Sequence, residues 1–137
     1  MPKVTKTTEL WCNIPNHIGV VAGITRAIAE TRTNILATAS WVSSTTPTKG
    51  YYKMVTTNNP KAATALKNLG YDVKKTDVLV VDLPNRSGSF YPVAQRIAEA
   101  GININYHYAT TTGPKGQIIL STNNNNKAMQ LIRQCRT

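Results

Sequence analysis

The six residues IPNHIG at positions 14–19 recur as LPNRSG at positions 83–88, and this repeat decides the organisation of the chain. Around it, residues 10–40 align without a gap on residues 79–109, at a constant offset of 69. Further on, Lys115-Gly116 matches Lys49-Gly50, so the offset falls to 66 and the second copy lacks three residues in one connection. Surface loops tolerate such deletions and packed elements do not. The chain is therefore a module of roughly 65 residues used twice.

Both copies begin with the same succession of hydrophobic patterns. Residues 8–14 alternate as a strand with one buried face does, whereas residues 78–83 are apolar almost throughout, as in a strand covered on both faces. An apolar stripe at helical spacing follows in each copy, and it begins at Val21 in the first and at Phe90 in the second. We therefore expect a strand followed by an amphipathic helix in each copy.

Two further strands and a second helix complete each copy. The strands form a predicted hairpin at residues 35–42 with 51–56 and at residues 104–110 with 117–121. The second helix of the first copy is predicted to begin after Asn59-Pro60, a cap residue followed by proline. Its apolar stripe runs from Ala62 to Leu69.

The order strand, helix, strand, strand, helix, strand predicts an α+β fold. We expect two ferredoxin-like βαββαβ modules, at residues 1–75 and 76–137, each an antiparallel sheet with both helices on one face. A short strand at residues 71–74 is expected to close the first sheet. The second copy stops at Thr137 before any closing strand, so that module is expected either to have a three-stranded sheet or to borrow an edge.

Glycines mark several of the expected turns. The first helix of the second copy should end at Gly101, which adopts the left-handed conformation without a Cβ penalty. Arg32 holds that place in the first copy, so its turn is expected to be built differently or to be mildly strained. Residues 113–116, GPKG, join two strands with no helix after them, and we interpret them as a hairpin turn and not as a phosphate loop.

The composition limits location and chemistry. Sixteen basic and six acidic residues give a net charge of +10 that is spread along the chain, and this draws in anions without identifying them. No apolar run approaches the roughly 18 residues of a membrane span, and the first residues lack a signal-peptide pattern. We therefore expect a soluble cytoplasmic protein that does not associate with membranes. Cys12 and Cys135 fit no metal or disulfide spacing and are interpreted as small buried apolar residues.

The turn between the first strand and the first helix is the repeated feature with chemical potential. Gly19 and Gly88 let a ligand come close, and the unpaired amides of a helix start favour an anion such as a carboxylate. His17 and Arg86 hold equivalent places in the two turns, where either can meet a carboxylate.

Four asparagines accompany these turns. Asn16 and Asn85 lie in the turns, and Asn34 and Asn103 follow the helix at the opening of the next strand. An asparagine side chain offers a donor and an acceptor, so it can hold an ammonium or a carboxylate group. The alternative interpretation is that all four only cap and close turns.

Together these features resemble the ACT domain, a small regulatory module of amino-acid metabolism, and in particular compact proteins made of two ACT modules. The resembling stretches are residues 10–35 and 78–104, in which AEAGINI at 98–104 is similar to the family's helix ending. LGYDV at 69–73, leading into VLVV at 78–81, is similar to the tandem type. The resemblance covers nearly the whole chain.

The resemblance implies a non-catalytic, allosteric regulatory protein without a cofactor. It implies that a free amino acid or similar small zwitterion binds at an interface between modules, that the protein is a homodimer, and that an enzyme or transporter is regulated. The first site would comprise Asn16, His17, Gly19 and Asn34. The second would comprise Asn85, Arg86, Ser87, Gly88 and Asn103. Ile18 and Ser87 stand where the family usually has proline, and only the second copy has the helix-ending glycine, so the second site is expected to be the better pocket.

The main alternative is an RNA-binding module of similar fold. The same order of elements carries RNA-recognition sheets, and KGYY at residues 49–52 begins like their basic-glycine-aromatic motif. Tyr51 and Tyr52 would then stack on bases, and the basic surface would attract phosphates. Against this, Lys53 stands where an aromatic residue should stack, and the second copy has no ring at the matching place.

The sequence disfavours catalysis. It contains only two His and six acidic residues, and it shows no zinc signature, nucleophile elbow or phosphate loop. Glu30 and Glu99 are expected on solvated helix faces, and Asp82 is expected to be paired or to face an edge. No metal site is predicted.

Overall fold

The computed structural model describes residues 2–135, and in this range the chain forms six strands and four helices. Their order is β1 (Lys3–Pro15), α1 (Val20–Glu30), β2 (Ile35–Val42), β3 (Lys49–Thr56), α2 (Asn59–Asn68), β4 (Lys74–Pro84), α3 (Tyr91–Glu99), β5 (Ile104–Thr112), β6 (Lys115–Thr122) and α4 (Asn125–Arg133). They fall into two compact units, a first unit of Thr8–Thr76 and a second unit of residues 2–7 with 77–135. The predicted α+β class with two ferredoxin-like modules is confirmed.

The first unit has the strand order β2–β3–β1, and both neighbouring pairs are antiparallel. Cys12 lies opposite Tyr52, which lies opposite Ser40. Helices α1 and α2 pack on one face of this sheet, and the core between them consists of Leu10, Cys12, Ile14, Val20, Ile24, Ile28, Tyr52, Met54, Ala62, Ala63, Ala65 and Leu66. The alternate residues of β1, among them Glu9 and Trp11, point to the other face, which we call the outer sheet face.

The second unit repeats this plan with the order β4–β6–β5, again antiparallel. Leu79 lies opposite Leu120, which lies opposite His107. Its core consists of Val4, Leu79, Val81, Leu83, Val93, Ile97, Ile102, Ile118, Leu120, Ala128, Ile132 and Cys135. The equivalent residues Leu10, Cys12 and Ile14 of β1 and Leu79, Val81 and Leu83 of β4 therefore place the same strand face in the core of each unit.

The second unit takes part of its core from the start of the chain. Val4 is 5% exposed and packs in the same cluster as Leu79 and Cys135. This grouping differs from the linear division expected at residues 75/76, because residues 2–7 belong with the later part of the chain. The sequence of the second copy contains no closing strand for its core. The start of β1, from the same chain, takes that place.

Three details of the predicted elements are wrong. Residues 71–73 form no strand, and β4 instead begins at Lys74 and runs unbroken to Pro84. Helix α1 begins at Val20, so its buried stripe is Val20, Ile24 and Ile28, and Val21 is 47% exposed. Leu69 is 45% exposed because it caps the end of α2, past the last residue that faces the core.

The two copies end their first helices with the same backbone turn, so of the two expectations for Arg32 the mild strain applies and the different turn does not. Gly101 has φ 71°, in the left-handed region. Arg32 holds the same place with φ 59° and is the one non-glycine residue among residues 2–135 with a positive φ. The left-handed conformation costs an L-residue about 1–2 kcal/mol, so the first copy carries a mild strain that the second avoids.

Candidate functional site

Asn16 and Asn85 tie the strand-to-helix turns to the neighbouring hairpins. The backbone N–H of Asn16 donates to Thr48 O (2.8 Å), and its side-chain Nδ2 donates to Pro47 O (2.8 Å). In the second unit the N–H of Asn85 donates to Pro114 O (2.9 Å), and its Nδ2 donates to Gly113 O (2.8 Å). Each asparagine therefore uses its backbone N–H and one side-chain N–H to tie the turn to the hairpin. This is the turn-closing role that was the alternative interpretation of the sequence.

The turn glycines leave open space at the helix starts. Gly19 has φ 92° and Gly88 has φ 80°, and a Cβ atom added to either would meet no heavy atom within 4 Å. Their backbone conformation favours glycine, and the space above them is unfilled. The backbone at these two glycines is therefore not covered by neighbouring side chains, and the predicted ligand sites depend on this open space.

A cavity of about 500 Å³ lies at this turn in the second unit. Its polar lining is Asn85, Arg86, Ser89, Thr110, Thr111 and Gln117. Its apolar lining includes Leu83, Phe90 and Ile118. Arg86 is the one charged residue among these lining residues, all of which lie within 2–135, so the lining carries a net positive charge. The ring of Phe90 is fixed by an edge-to-face contact with His107, at 5.3 Å between centroids.

The structure separates the two later asparagines from these turns within each unit. Asn34 and Asn103 lie beyond the C-terminal ends of α1 and α3, whose lengths of about 16 and 14 Å separate them from the turns at the N-terminal ends. Asn103 Nδ2 donates to Asn105 Oδ1 (3.1 Å), and its backbone N–H donates to Asn123 Oδ1 (3.1 Å). The backbone N–H of Asn34 donates to Thr57 Oγ1 (3.0 Å). The structure thus brings Asn85, Arg86 and Gly88 together at one cavity but not Asn103.

The remaining predicted site residues are exposed. Ser87 lies at the tip of the second turn, outside the cavity lining. His17 lies in the first turn, where its Nδ1 is 3.2 Å from Ile18 O. The Ile18 side chain is fully exposed, at 102%.

Asp82, Cys12 and Cys135, which the sequence predicts to be structural residues, are paired or buried. Gln117 Nε2 donates to Asp82 Oδ1 (3.1 Å), so this carboxylate is paired as expected. Burial raises the pKa of the Cys12 thiol to about 11. Burial also raises the pKa of Cys135, against an opposing effect of Arg96. Both thiols are therefore protonated at neutral pH, which makes them poor nucleophiles.

No three or more His, Cys, Asp or Glu side chains in residues 2–135 lie close enough together to hold a metal ion. None of the helices in this range is long and apolar enough to cross a membrane.

The stacking residues named for the RNA-binding alternative are only half right. Tyr52 is 2% exposed and lies in the core of the first unit, because adjacent residues of a strand point to opposite faces. Tyr51 lies on the outer sheet face, next to the ring of Trp41. Trp41 and Trp11 also lie on this face and were not among the predicted stacking residues, although strand alternation and hairpin register could have placed both.

Comparison with known proteins adds the family. A family model described as an ACT domain pair matches residues 6–136. A solved structure of a protein from Bacteroides thetaiotaomicron is similar with a TM-score of 0.87 and 21% identity, covering 96% of this chain and 89% of that one.

Two regulatory subunits of aspartate kinase are also similar in structure. The one from Thermus thermophilus, in its ligand-free form, has a TM-score of 0.70 and 16% identity over 98% of this chain and 97% of that one. The one from Thermus flavus has a TM-score of 0.69 and 18% identity over 96% and 95%. At these identities the likeness shows the shared fold. No curated protein matches the chain.

Proposed function

The chain belongs to the ACT-domain family, and on that premise we propose that it is a non-catalytic regulatory protein that binds a free amino acid in the turn cavity of its second unit. The observation that carries this proposal is the cavity itself, which lies at a helix start and is lined by Asn85, Arg86 and Gly88. These three residues belong to the second site predicted from the sequence.

The chemistry of the cavity suits a small zwitterion. A carboxylate gains a charge-assisted hydrogen bond from the Arg86 guanidinium and further bonds from the amides at the start of α3. The hydroxyl of Thr111, which lies on the same sheet face as Ile118, is an acceptor for an ammonium group. Leu83 and Ile118 offer an apolar wall to the ligand side chain.

A homodimer belongs to the same proposal. Tyr91, which lines the cavity, is 67% exposed, and Ile18 in the equivalent turn of the first unit is fully exposed. Large apolar side chains exposed beside candidate ligand turns favour coverage by another molecule. Because Asn103 and Asn34 lie at the far ends of their helices, a ligand at a turn does not meet the asparagine of the same unit, and in the proposed dimer a second copy supplies it.

The proposed output is regulation of a cytoplasmic enzyme or transporter. The similar structures from Thermus are regulatory subunits of an enzyme, which supports this part of the proposal. A ligand that binds one arrangement of the protein more tightly than another shifts the population towards it. A partner that contacts only one arrangement then responds to the amino acid.

A thermal-shift screen against the twenty amino acids, followed by calorimetry, tests the site. A ligand of the folded state raises the melting temperature. Arg86→Gln should weaken its binding at least about tenfold, as expected for loss of a bond to a charged group. Gly88→Ala should also weaken binding, because it places a Cβ atom in the open space of the turn and strains a backbone with φ 80°. His17→Gln and Gly19→Ala are matched controls, because they make the same changes in the equivalent turn of the first unit.

The outcomes separate the alternatives. Retained binding in the two first-unit variants, with loss in the two second-unit variants, is the expected result. The proposal is wrong if no amino acid raises the melting temperature, or if Arg86→Gln and Gly88→Ala bind as the unchanged protein does. Loss of binding only in the first-unit variants would move the site to the first turn.

A further inference from the structure

We propose that the outer sheet face of the first unit binds single-stranded nucleic acid through an aromatic cluster, which we define as Glu9, Trp11, Trp41, Tyr51 and Lys53. This function lies beyond the amino-acid site and does not depend on it. The cluster is built on β1, β2 and β3, whereas the turn cavity is lined by residues that follow Asp82.

Two rings of the cluster form a platform. Trp41 and Tyr51 are directly opposite each other in the β2–β3 pairing, and their ring centroids are 5.4 Å apart at an interplanar angle of 32°. Trp41 is 46% exposed, although large aromatic side chains are usually well buried. Trp11 and Lys53 are opposite each other in the β1–β3 pairing, so the third ring lies on the adjacent strand.

A buried ion pair holds the rings in place. The Nζ atom of Lys53 is 5.2 Å from the ring centroid of Trp11 and 6.0 Å from that of Trp41. It is also 3.4 Å from Oε1 of Glu9, whose residue is completely buried. Lys53 thus contacts both tryptophans by cation–π interactions while its charge is balanced by Glu9.

The duplicated fold shows that its architecture does not require this cluster. The equivalent places of the second unit hold Val78, Val80, Thr110, Gln117 and Ile119. The second unit therefore builds the same sheet with an apolar pair, Val78 and Ile119, where the first unit buries Glu9 and Lys53. Because a buried ion pair seldom stabilises a fold more than apolar residues of similar size do, the cluster points to a role other than stability.

The charge of the outer sheet face indicates which kind of molecule binds to it. Lys74 is exposed and its Nζ lies 4.7 Å from the ring centroid of Trp11, and Lys49 is exposed and shares the strand face of Tyr51. The one carboxylate of the cluster, Glu9, is buried and paired with Lys53. The same face of a second copy would present the same positive charge, which disfavours pairing of two copies through this face. Single-stranded nucleic acid supplies both phosphates for the lysines and unstacked bases for the rings.

Tryptophan fluorescence provides a direct test, because both tryptophans of the chain belong to the cluster. A 12-nucleotide oligo(dT) or oligo(U) should quench this fluorescence, and a duplex of the same length should quench it far less, since its bases are already stacked. Binding should weaken when KCl is raised from about 50 to about 200 mM. Comparison of the two single strands distinguishes DNA from RNA as the preferred ligand.

Variants locate the binding with a fluorescently labelled oligo(dT). Trp41→Ala and Tyr51→Ala should each weaken binding at least about fivefold, the lower range for loss of one stacked base. Tyr91→Ala is the matched control, because it removes an exposed aromatic residue from α3 of the second unit. Trp41→Phe should retain most of the binding, and circular dichroism of every variant checks that it is folded.

Three results would overturn the proposal. The first is equal loss of binding in Tyr91→Ala and Trp41→Ala. The second is equally tight binding of polyglutamate, which carries charge without rings. The third is absence of oligonucleotide binding, and a dimer, measured by sedimentation, that Trp41→Ala dissociates would then identify a second copy of the chain as the occupant.

Discussion

At the scale of single residues, the duplicated chain contains its own controls. Gly50 and Gly116 are equivalent hairpin glycines, but their surroundings differ. A Cβ atom at Gly50 would lie 2.7 Å from the backbone oxygen of Trp41, whereas at Gly116 its nearest neighbour would be Thr111 Cγ2 at 3.7 Å. The first distance requires the backbone to move, and the second is an ordinary van der Waals contact.

We therefore expect Gly50→Ala to lower the free energy of unfolding by about 1–3 kcal/mol, the usual effect of forced overpacking. Gly116→Ala should change it by no more than about 0.5 kcal/mol. Urea unfolding of both variants measures the difference. Equal destabilisation would show that the close approach to Trp41 is not the cause.

Three residues of the candidate site could be predicted one by one from the sequence. Asn85, Arg86 and Gly88 follow from the repeated turn alone, because a glycine next to a helix start has a local physical meaning. Tyr52 was assigned to the wrong face although it adjoins Tyr51, since the motif resemblance outweighed strand alternation. The hydroxyl group of Tyr52 is buried without a hydrogen-bond partner among residues 2–135.

At the scale of elements, the start of α2 uses two adjacent asparagines differently from the prediction. The sequence assigns the cap of α2 to Asn59, but the cap is Asn58, whose side chain accepts a bond from the N–H of Lys61 (3.2 Å). Asn59 instead donates to Thr8 O (2.9 Å) and accepts from the hydroxyl of Thr56 (2.7 Å). It therefore ties the helix start to β1 and β3.

Removal of this cap should weaken the first unit. We expect Asn58→Ala to lower the free energy of unfolding by about 1 kcal/mol, because an N–H at the helix start loses its partner, and Asn58→Asp to retain most of it. Asn68→Ala, an exposed change at the last residue of α2, is the control. Thermal unfolding followed by circular dichroism measures all three, and an equal loss in Asn68→Ala would contradict the capping role.

At the scale of the whole molecule, each unit has its own core, and the core of the second unit includes Val4 from the start of β1. The pattern of residues 77–135 contains no sign of this contribution, because the closing segment comes from the other end of the chain. The place of the closing strand that is missing after α4 is therefore taken by a segment that is very distant in the sequence.

Val4→Ala tests this contribution. Loss of two buried methyl groups should lower the free energy of unfolding of the second unit by about 1–3 kcal/mol. Val42→Ala removes the same atoms from a valine that is 49% exposed and is the matched control. Amide hydrogen exchange should become faster in β4 and β6 of Val4→Ala only. Unchanged exchange there would mean that residues 2–7 do not support the second core.

The sequence by itself determined the duplication, the order of the main elements in each copy, the buried face of β1 and the glycine turns before the first helices. These features follow from hydrophobic periodicity, from glycine positions and from the alignment of the two copies. Each of these signals lies in a short stretch of the sequence. It also determined that Gly101 and Arg32 would end equivalent helices with different strain.

Only the tertiary structure decided which distant residues meet. It placed Val4 in the second core, separated Asn103 from the turn of its own unit, and assembled Trp11, Trp41 and Lys53 from three strands into one cluster. The physical reason is that side-chain alternation reports which face a residue occupies, whereas its neighbours depend on strand pairing and chain closure between segments that are far apart in the sequence.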